Sequence, residues 1–366
     1  MTALSEAPTN PETIEALAGR LFGEGVGAMH MGTLYVGHKL GLFAALVADG
    51  PLTAAELASR RGIDEWYARE WLQAETTAGL VLADDEDLRR AHFTAAPGVR
   101  ETLVDETGPA YLGGLPLASA AVGAVLPQLL AAFRTGAGVA YPYYGPDAVA
   151  AQGALNRPAF VNDLVHTWLP QIPGVQARLA DTDRPARVAD IGCGLGWAAL
   201  ELAKAFPHVQ VDGYDADEES ISAARRNAAE AGLSDRVTFE VVDAGAADYG
   251  DRTYDAVFFF ECLHDMAHPA AALRAAGRAL APGGSVVVMD ERTSDTIEPG
   301  DPVQTFFAAA SVLWCLPQAR VEADSESPGT VMRCADFRRI AGEAGWAGIE
   351  VLPIEHPFWR FYRLSR

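Results

Sequence analysis

Positive charge is scarce in this sequence. Only two residues are lysine, Lys39 and Lys204, and lysine and arginine together number 28 against 49 aspartates and glutamates, a formal net charge of −21. Proteins that bind phosphate backbones or anionic membranes neutralise them with clustered lysine and arginine. The composition therefore predicts no nucleic-acid partner and no membrane partner, and it favours a small molecule.

Cysteine and long apolar runs are scarce as well. Four cysteines, at 193, 262, 315 and 334, lack the paired spacing of a zinc site, so we expect reduced, buried thiols. The N-terminus lacks the basic-then-apolar pattern of a secretory signal, and the apolar stretches are interrupted before they would complete a membrane span. We expect a soluble, cytoplasmic protein.

Glycine is concentrated where a strand is expected to give way to a helix. The segment Val188–Trp197 reads V-A-D-I-G-C-G-L-G-W, with Gly192, Gly194 and Gly196 at alternate positions and Asp190 at the end of the strand. Such glycines let a nucleotide-like ligand approach backbone that any Cβ would obstruct. The spacing is G-x-G-x-G, which differs from the G-x-G-x-x-G of dinucleotide enzymes. A plain tight turn would also use these glycines.

Four further strands are predicted after this segment, and each has an acidic residue at or near its carboxyl end. The strands are 209–215, 236–242, 254–260 and 285–289, and the acids are Asp215, Asp243, Glu261 and Asp290. Open parallel sheets bind ligands at the carboxyl ends of their strands. Asp215 follows Gly196 by about 20 residues, the separation at which a carboxylate meets ribose hydroxyls in nucleotide-binding sheets. The pattern predicts an α/β, Rossmann-like sheet with a nucleoside site along one edge.

The N-terminal part of the chain has a different organisation. Thr53 and Glu56 form a capping box that opens a short helix, a second helix is predicted at 63–78, and 81–94 is typical of a two-stranded wing. This order predicts a winged helix. The charged residues of the second helix are mostly acidic: Asp64, Glu65, Glu70 and Glu75 against Arg69. A DNA-reading helix contacts phosphates and bases with basic side chains, so we do not expect DNA binding.

Together these features resemble the class I S-adenosylmethionine (SAM) methyltransferases, in particular the plant-type small-molecule O-methyltransferases and their bacterial relatives. The resemblance covers almost the entire chain. It implies a mainly α, winged-helix dimerisation domain at 1–107, a helical connector or substrate lid at 108–184, and a Rossmann-like SAM-binding domain at 185–366. It also implies a homodimer that methylates a small secondary metabolite.

The resemblance assigns the cofactor to the strand ends. The residues implied are Asp190, Gly192, Gly194, Gly196, Asp215, Asp243, Ala244, Phe260 and Glu261. Asp190 is expected to contact the methionine part, Asp215 the ribose hydroxyls, and Asp243 the adenine amino group. For Asp215 and Asp243 the alternative is that each caps the next helix.

One motif resembles the catalytic segment of these enzymes. Leu263-His264-Asp265-Met266 matches their pattern of Leu or Cys, His, Asp and a bulky apolar residue, whose histidine removes the proton from a phenolic hydroxyl. The resemblance implies that His264 is the general base, with Glu291 beside it and Asp290 and Glu322 as further matches. An imidazole with an unshifted pKa of about 6.5 suits this role. The alternative is a structural histidine at a strand–helix turn.

Aromatic residues outside the sheet are expected to line the acceptor site. Those predicted to do so are Tyr143, Tyr144, Phe160, Trp168, Phe307 and Trp314. Tyr143 and Tyr144 belong to a Tyr-Gly element followed by Asn-Arg-Pro, which in the related bacterial enzymes lies near the entrance to the substrate cavity. The alternative is that these aromatic side chains only pack one part of the protein against another.

Two other functions remain open from the sequence. His264 and His268 lie four residues apart, and with Asp290 and Glu291 they could hold iron or zinc for methylation of an α-keto acid at carbon. Pro269 follows His268, so the two histidines need not share a helical face. The leading prediction includes no metal. The third possibility is a protein that binds SAM without transferring its methyl group.

Overall fold

We analysed a computed structural model that describes residues 13–365. Contacts divide the chain into two compact units, the first ending at Val104 and the second beginning at Asp105. The first twelve residues of the predicted winged-helix domain lie outside the described residues. The predicted domain boundaries after 107 and 184 stay predictions.

The helices and strands follow the order expected from the sequence. The α-helices are α1 Ile14–Lys39, α2 Leu42–Asp49, α3 Ala54–Arg61, α4 Glu65–Thr77, α5 Gly114–Thr135, α6 Pro146–Ala159, α7 Val175–Leu179, α8 Trp197–Ala205, α9 Glu218–Glu230, α10 Pro269–Arg278, α11 Pro302–Ala310, α12 Leu316–Ala319 and α13 Cys334–Glu343. The strands are β1 Val81–Ala83, β2 Phe93–Ala95, β3 Arg187–Ile191, β4 Gln210–Asp215, β5 Val237–Val241, β6 Tyr254–Phe260, β7 Leu280–Glu291, β8 Gly348–Val351 and β9 Trp359–Ser365. Short 3₁₀ turns occur at Tyr141–Tyr144, Leu169–Gln171 and Leu263–Asp265, and π-helical turns occur at Arg100–Val104, Phe160–Trp168 and Ser311–Cys315.

The first unit has the helices and wing of a winged helix. Strands β1 and β2 pair in antiparallel register, and Thr53 and Glu56 form the predicted capping box at the start of α3. Helices α1 and α2 are separate, because Gly41 adopts a left-handed conformation (φ 64°) between them. Phe43 and Trp71 pack edge to face in the core of this unit.

From the sequence we expected no stretch long and apolar enough to span a membrane, and helix α5 contradicts this expectation. It has 22 residues, and an 18-residue window within it is apolar enough to cross a membrane by length and composition alone. Only 28% of that window is buried. Leu126, Leu130 and Phe133 are exposed on its surface.

The second unit contains the predicted α/β sheet, which has seven strands in the order β5-β4-β3-β6-β7-β9-β8. Strands β3 to β7 run parallel, and β9 and β8 close the sheet in antiparallel register. From β3, the chain proceeds outward through β4 and β5, then returns to the other side of β3 as β6. Ligands bind at such a reversal, outside the carboxyl ends of the strands.

The sheet is buried on both faces. Val188, Phe258 and Val287 belong to the core on one face, and Ala189, Phe259 and Val288 belong to the core on the other. Successive side chains of a strand point to opposite faces, and a strand covered on both faces reads as a continuous apolar run. This explains why β6 and β7 are apolar along most of their length.

Candidate active site

A cavity of about 550 Å³ lies where the strand order reverses. Its walls come from the carboxyl ends of β3, β4, β5 and β6, from residues 141–160 and from residues 314–322. All the residues predicted to bind the cofactor line this cavity except Gly196. Gly196 begins α8 with a left-handed backbone (φ 78°), and a Cβ there would lie 2.5 Å from Phe239 Cζ. We conclude that Gly196 is required for packing.

Asp215 links the loop after β3 to the loop after β4, and both loops line the cavity. Its Oδ2 accepts a hydrogen bond from the Gly194 backbone N–H at 2.8 Å, and its Oδ1 accepts one from the Asp217 N–H at 2.9 Å. Burial raises the pKa of Asp215, and these two hydrogen bonds oppose the rise. Each carboxylate oxygen has a second lone pair, so Asp215 can also accept hydrogen bonds from two hydroxyl groups.

Two observations test whether a nucleoside with an amino-acid tail fits here. Gly194 has φ 49°, and a Cβ added to it would point into open space next to the loop, so the backbone there is accessible to a ligand. Asp190 Oδ2 is buried and has no hydrogen-bond partner among the described residues, and burial together with Asp215 raises the pKa of Asp190 to about 7. A ligand ammonium or hydroxyl would supply the missing partner. The residues present therefore fit SAM.

His264 lies behind the cavity wall, in a cluster of carboxyl groups. It is 1% exposed, and it is its neighbour Asp265 that lines the cavity. The imidazole Nδ1 hydrogen-bonds Asp290 Oδ1 at 2.9 Å and lies 2.9 Å from Glu291 Oε2. On the other side, Nε2 lies 3.1 Å from Asp265 Oδ1. Both ring nitrogens are thus in contact with carboxyl groups.

These contacts correct the prediction that His264 has an unshifted pKa. Burial alone would lower the pKa of His264, but Asp265, Glu291 and Asp290 together raise it well above its usual value. Burial raises the pKa of Glu291 well above its usual value despite the opposing charge of His264, with Asp290 adding to the rise. Burial also disfavours the charged form of Asp290, yet His264 outweighs this and lowers the pKa of Asp290. The cluster therefore favours the ionised form of Asp290, the neutral form of Glu291 and the charged form of His264.

The structure separates the two histidines that the sequence placed together as metal ligands. The donor atoms of His264, Asp290 and Glu291 lie within 4.8 Å of one another, whereas His268 belongs to a different group with Glu322 and Asp324. His268 Nε2 lies 3.2 Å from Glu322 Oε2 near the surface. His268 therefore does not complete a site around His264.

The predicted acceptor residues have different surroundings. Phe160 and Trp314 line the cavity. Tyr144 is buried and donates its hydroxyl hydrogen bond to the Leu313 carbonyl at 2.8 Å, so it supports Trp314, against whose ring it packs. Tyr143 is exposed and lies outside the cavity wall.

Trp168 and Phe307 are also outside the cavity wall. Trp168 is 1% exposed and packs against Trp359 and Phe361 in the core. Phe307 is buried next to Phe306. Tyr143, Trp168 and Phe307 therefore do not line this cavity, and their role in binding the acceptor stays a prediction.

Several residues of the cavity were not predicted from the sequence. They include Tyr141, Gln152, Asn156, Trp197, Asp217 and Gln318. Tyr141 and Asn156 fall within the Tyr-Gly and Asn-Arg-Pro segments, which gave a signal for the region but not for the residue. Gln152 and Gln318 lie on helices with no distinguishing motif.

Two thiols also line the cavity. Cys193 lies in the glycine loop, and Cys262, which follows β6, donates a hydrogen bond to the Ile191 carbonyl at 3.0 Å. Burial is the main reason that the pKa of both thiols is raised well above the usual value, and the carboxylates around them add to the rise.

Comparison with known families agrees with this geometry. Residues 183–332 match the family described as "Methyltransferase domain", and residues 28–93 match the "Rv2258c-like winged HTH domain". The chain is a class I methyltransferase-fold protein with an N-terminal winged-helix domain. The predicted family and fold class are confirmed, and so is SAM as the cofactor of this methyltransferase domain.

Individual relatives match only part of this chain. It is 38% identical over 104 residues to 27-O-demethylrifamycin SV methyltransferase of Amycolatopsis mediterranei (strain S699), covering 28% of this chain and 38% of that protein. It is 32% identical over 106 residues to norajmaline N-methyltransferase of Rauvolfia serpentina, covering 29% of this chain and 36% of that protein. The matches thus span less than two fifths of either relative.

Solved structures match the fold over nearly the full length. The structure titled "PigF with SAH" has a TM-score of 0.72 at 19% identity, covering 97% of this chain and 100% of that one. The mitomycin 7-O-methyltransferase MmcR has a TM-score of 0.68 at 21% identity, covering 96% of this chain and 98% of that one. At these identities the likeness establishes the fold alone.

Proposed function

We propose that this protein transfers the methyl group of SAM to a small molecule bound in the cavity. The observation that carries the proposal is the convergence of Asp190, the Gly192–Gly194 loop, Asp215 and Asp243 on one cavity wall, next to a wall of aromatic side chains. The relatives named above act on small molecules according to their names. By this analogy we propose an acceptor from secondary metabolism and a location in the cytoplasm.

The residues of the chain have three tasks in this reaction. When bound, SAM supplies a methyl group that is already activated for in-line displacement. Asp190, Asp215 and Asp243 hold the cofactor, while Phe160, Phe260 and Trp314 exclude water and orient the acceptor, since fixing two reactants in line accounts for much of the rate. The third task is to accept the proton that the acceptor loses.

For this proton we propose the Asp265 carboxylate as the acceptor, with His264 at the centre of the cluster that holds it, which fits the predicted O-methylation. Asp265 lines the cavity, so it lies within reach of an acceptor hydroxyl. His264 lies between Asp265 and Asp290, at 3.1 Å and 2.9 Å. A charged His264 carries a proton on both ring nitrogens, so the acceptor proton stays on Asp265, while His264 positions Asp265 and Asp290 balances the charge of His264. A neutral Glu291 would keep the cluster from carrying a further negative charge.

The first prediction tests the function itself. We expect the purified protein to bind S-adenosylhomocysteine (SAH) stoichiometrically in calorimetry, and to transfer a labelled methyl group to a component of a small-molecule library. Absence of SAH binding would contradict the proposal outright. Binding without transfer to any acceptor would favour a non-methylating SAM-binding protein, and transfer abolished by a chelator would favour the metal-assisted reaction.

The second prediction concerns the partner, which we propose is a second copy of the chain. Helix α1 exposes Ile14, Phe22 and Met29 at 88%, 76% and 77% of their surface, and their spacing of eight and seven residues places them on one side of the helix. Exposed apolar residues on one face are typical of a protein–protein contact. We expect sedimentation velocity to give a dimer, and Phe22→Glu with Met29→Glu to shift it to a monomer. The control Gln73→Glu with Thr77→Glu, which adds the same two charges at exposed positions of α4, should remain dimeric. A wild-type monomer at micromolar concentration would contradict the proposal.

A further inference from the structure

The cavity wall is acidic. Seven carboxyl groups line it: Asp190, Asp215, Asp217, Asp243, Glu261, Asp265 and Glu322. Among the described residues, no lysine, arginine or histidine lines it. Six aromatic residues line it as well: Tyr141, Phe160, Trp197, Tyr214, Phe260 and Trp314. The wall therefore combines negative charge with aromatic faces.

Cofactor binding and helix capping account for four of these acids. Asp190 lies in β3, Asp215 ends β4 and Asp243 follows β5, and their carboxyl groups are assigned to the cofactor. For Glu261 the resemblance implies a contact of the backbone with the cofactor, which leaves its carboxyl group unassigned. Asp217 caps α9, since its side chain accepts a hydrogen bond from the Ser220 N–H at 2.8 Å. Glu261, Asp265 and Glu322 remain, and they come from the loop after β6 and from the segment after α12. Of these, Glu322 contacts His268, which leaves Glu261 and Asp265 as the acids whose charge needs explanation.

Glu261 is held in an unusual conformation. It is the one residue other than glycine with a positive φ, 54°, among residues 13–365, and such backbone strain persists where surrounding structure or function maintains it. Its Oε2 is buried and has no hydrogen-bond partner within the same range. Burial raises the pKa of Glu261 to about 7; His264 opposes the rise, and Asp290 and Asp265 add to it.

The carboxyl groups around Glu261 outnumber the positive charges. Glu261, Asp265, Asp290 and Glu291 share a single cation, the imidazolium of His264. Even with Glu291 protonated, three carboxylates face one positive charge. Buried charge without a counterion is costly, so this arrangement favours a ligand that brings a cation.

We propose that the acceptor carries a basic amine, bound as an ammonium group against Glu261 and within the field of Asp265. Phe260 precedes Glu261 in the chain, Phe160 packs against Phe260, and both aromatic residues line the cavity. Aromatic rings attract such cations. This inference rests on the proposed function and adds the chemical class of the substrate. It concerns recognition, and it is compatible with methylation at oxygen or at nitrogen.

The test uses three indole probes that differ in one group. Tryptamine, tryptophol and indole-3-propionate carry an ammonium, a hydroxyl and a carboxylate, and each is titrated into SAH-saturated protein by calorimetry at pH 7.5. We expect tryptamine to bind at least about tenfold more tightly than tryptophol, since a hydrogen bond to a charged group is stronger than a neutral one. Indole-3-propionate should bind most weakly. Equal binding of tryptamine and tryptophol would overturn the inference.

Glu261→Gln should remove the preference for tryptamine, whereas the same change at the exposed Glu326, on the loop that carries Glu322, should leave it intact. A preference that survives in Glu261→Gln would overturn the inference. SAH affinity is measured for the wild type and for every variant. Failure of the wild type to bind SAH contradicts the proposed function, whereas normal SAH binding without an amine preference contradicts only the inference.

A pH titration of the wild type makes the test independent of any variant. A carboxyl group is neutral below its pKa, so Glu261 loses its charge as the pH falls through about 7. Tryptamine, which stays protonated in this range, should therefore bind more tightly at pH 8 than at pH 6. His264, Asp265 and Asp290 also face Glu261, so Glu261→Gln must flatten this dependence if Glu261 is the group responsible. Affinity independent of pH in the wild type would overturn the inference.

Discussion

His264→Ala is expected to lower turnover by about two to four orders of magnitude, the range that a positioned acid–base group contributes. The dissociation constant for SAH should change only a few-fold, because His264 lies behind the wall and does not line the cavity. Alanine would remove the contact that positions Asp265, so the carboxylate that takes the acceptor proton would lose its orientation and its neighbouring cation. Single-turnover rates and calorimetric SAH binding measure the two effects separately.

The control for this prediction is His268→Ala, which removes an imidazole that contacts Glu322 near the surface and should leave turnover largely unchanged. Removing His264 also leaves buried carboxylates without their cation, which can cost about 3–5 kcal/mol of folding stability. Thermal melting must therefore show that the variant is folded at the assay temperature. Asp265→Asn, at the cavity wall, provides a second variant. Full turnover in both variants across the pH range would refute the proton route.

Asp215→Ala is expected to weaken SAH binding by roughly one to two orders of magnitude, because each hydrogen bond to a charged group contributes about 1.5–3 kcal/mol. Two effects add. The variant loses the acceptor expected for the ribose hydroxyls, and it also frees the Gly194 and Asp217 amides that Asp215 holds at 2.8 Å and 2.9 Å. Calorimetry with SAH measures the change.

Asp248→Ala is the matched control for Asp215→Ala. Asp248 also accepts a hydrogen bond from the backbone N–H two residues further on, that of Gly250 at 3.0 Å, but it lies outside the cavity wall. Its removal should leave SAH affinity unchanged. If Asp215→Ala binds SAH as tightly as the wild type, Asp215 is only a turn-forming residue, which is the alternative that the sequence left open.

The elements that carry a strong local signal were predicted from the sequence. Strand β6 has the predicted bounds, because a continuous apolar run ended by polar residues is typical of a buried parallel strand. The capping box at Thr53 was also predicted, because both of its hydrogen bonds are formed within four residues. The glycine loop likewise specifies its own conformation, with Gly192, Gly194 and Gly196 all at positive φ.

Properties that depend on tertiary neighbours could not be predicted. The raised pKa of His264 comes first from Asp265, its neighbour in sequence, and then from Glu291 and Asp290 on a different strand. No local pattern reveals that Glu291 and Asp290 meet the same ring nitrogen. The same limit applies to Trp168, whose packing against Trp359 and Phe361 depends on the far end of the chain. The strained Glu261 is a further case, because a glutamate carries no sequence signal for positive φ.

The two thiols of the cavity bear on the durability of the catalyst. A sulfonium reactive enough to alkylate a weak nucleophile would alkylate a thiolate readily, since the deprotonated form of cysteine is the nucleophilic one. Cys193 and Cys262 line the cavity, and their raised pKa keeps them protonated at neutral pH. A methyl donor bound in this cavity would thus lie beside two thiols whose environment favours the protonated, less nucleophilic form.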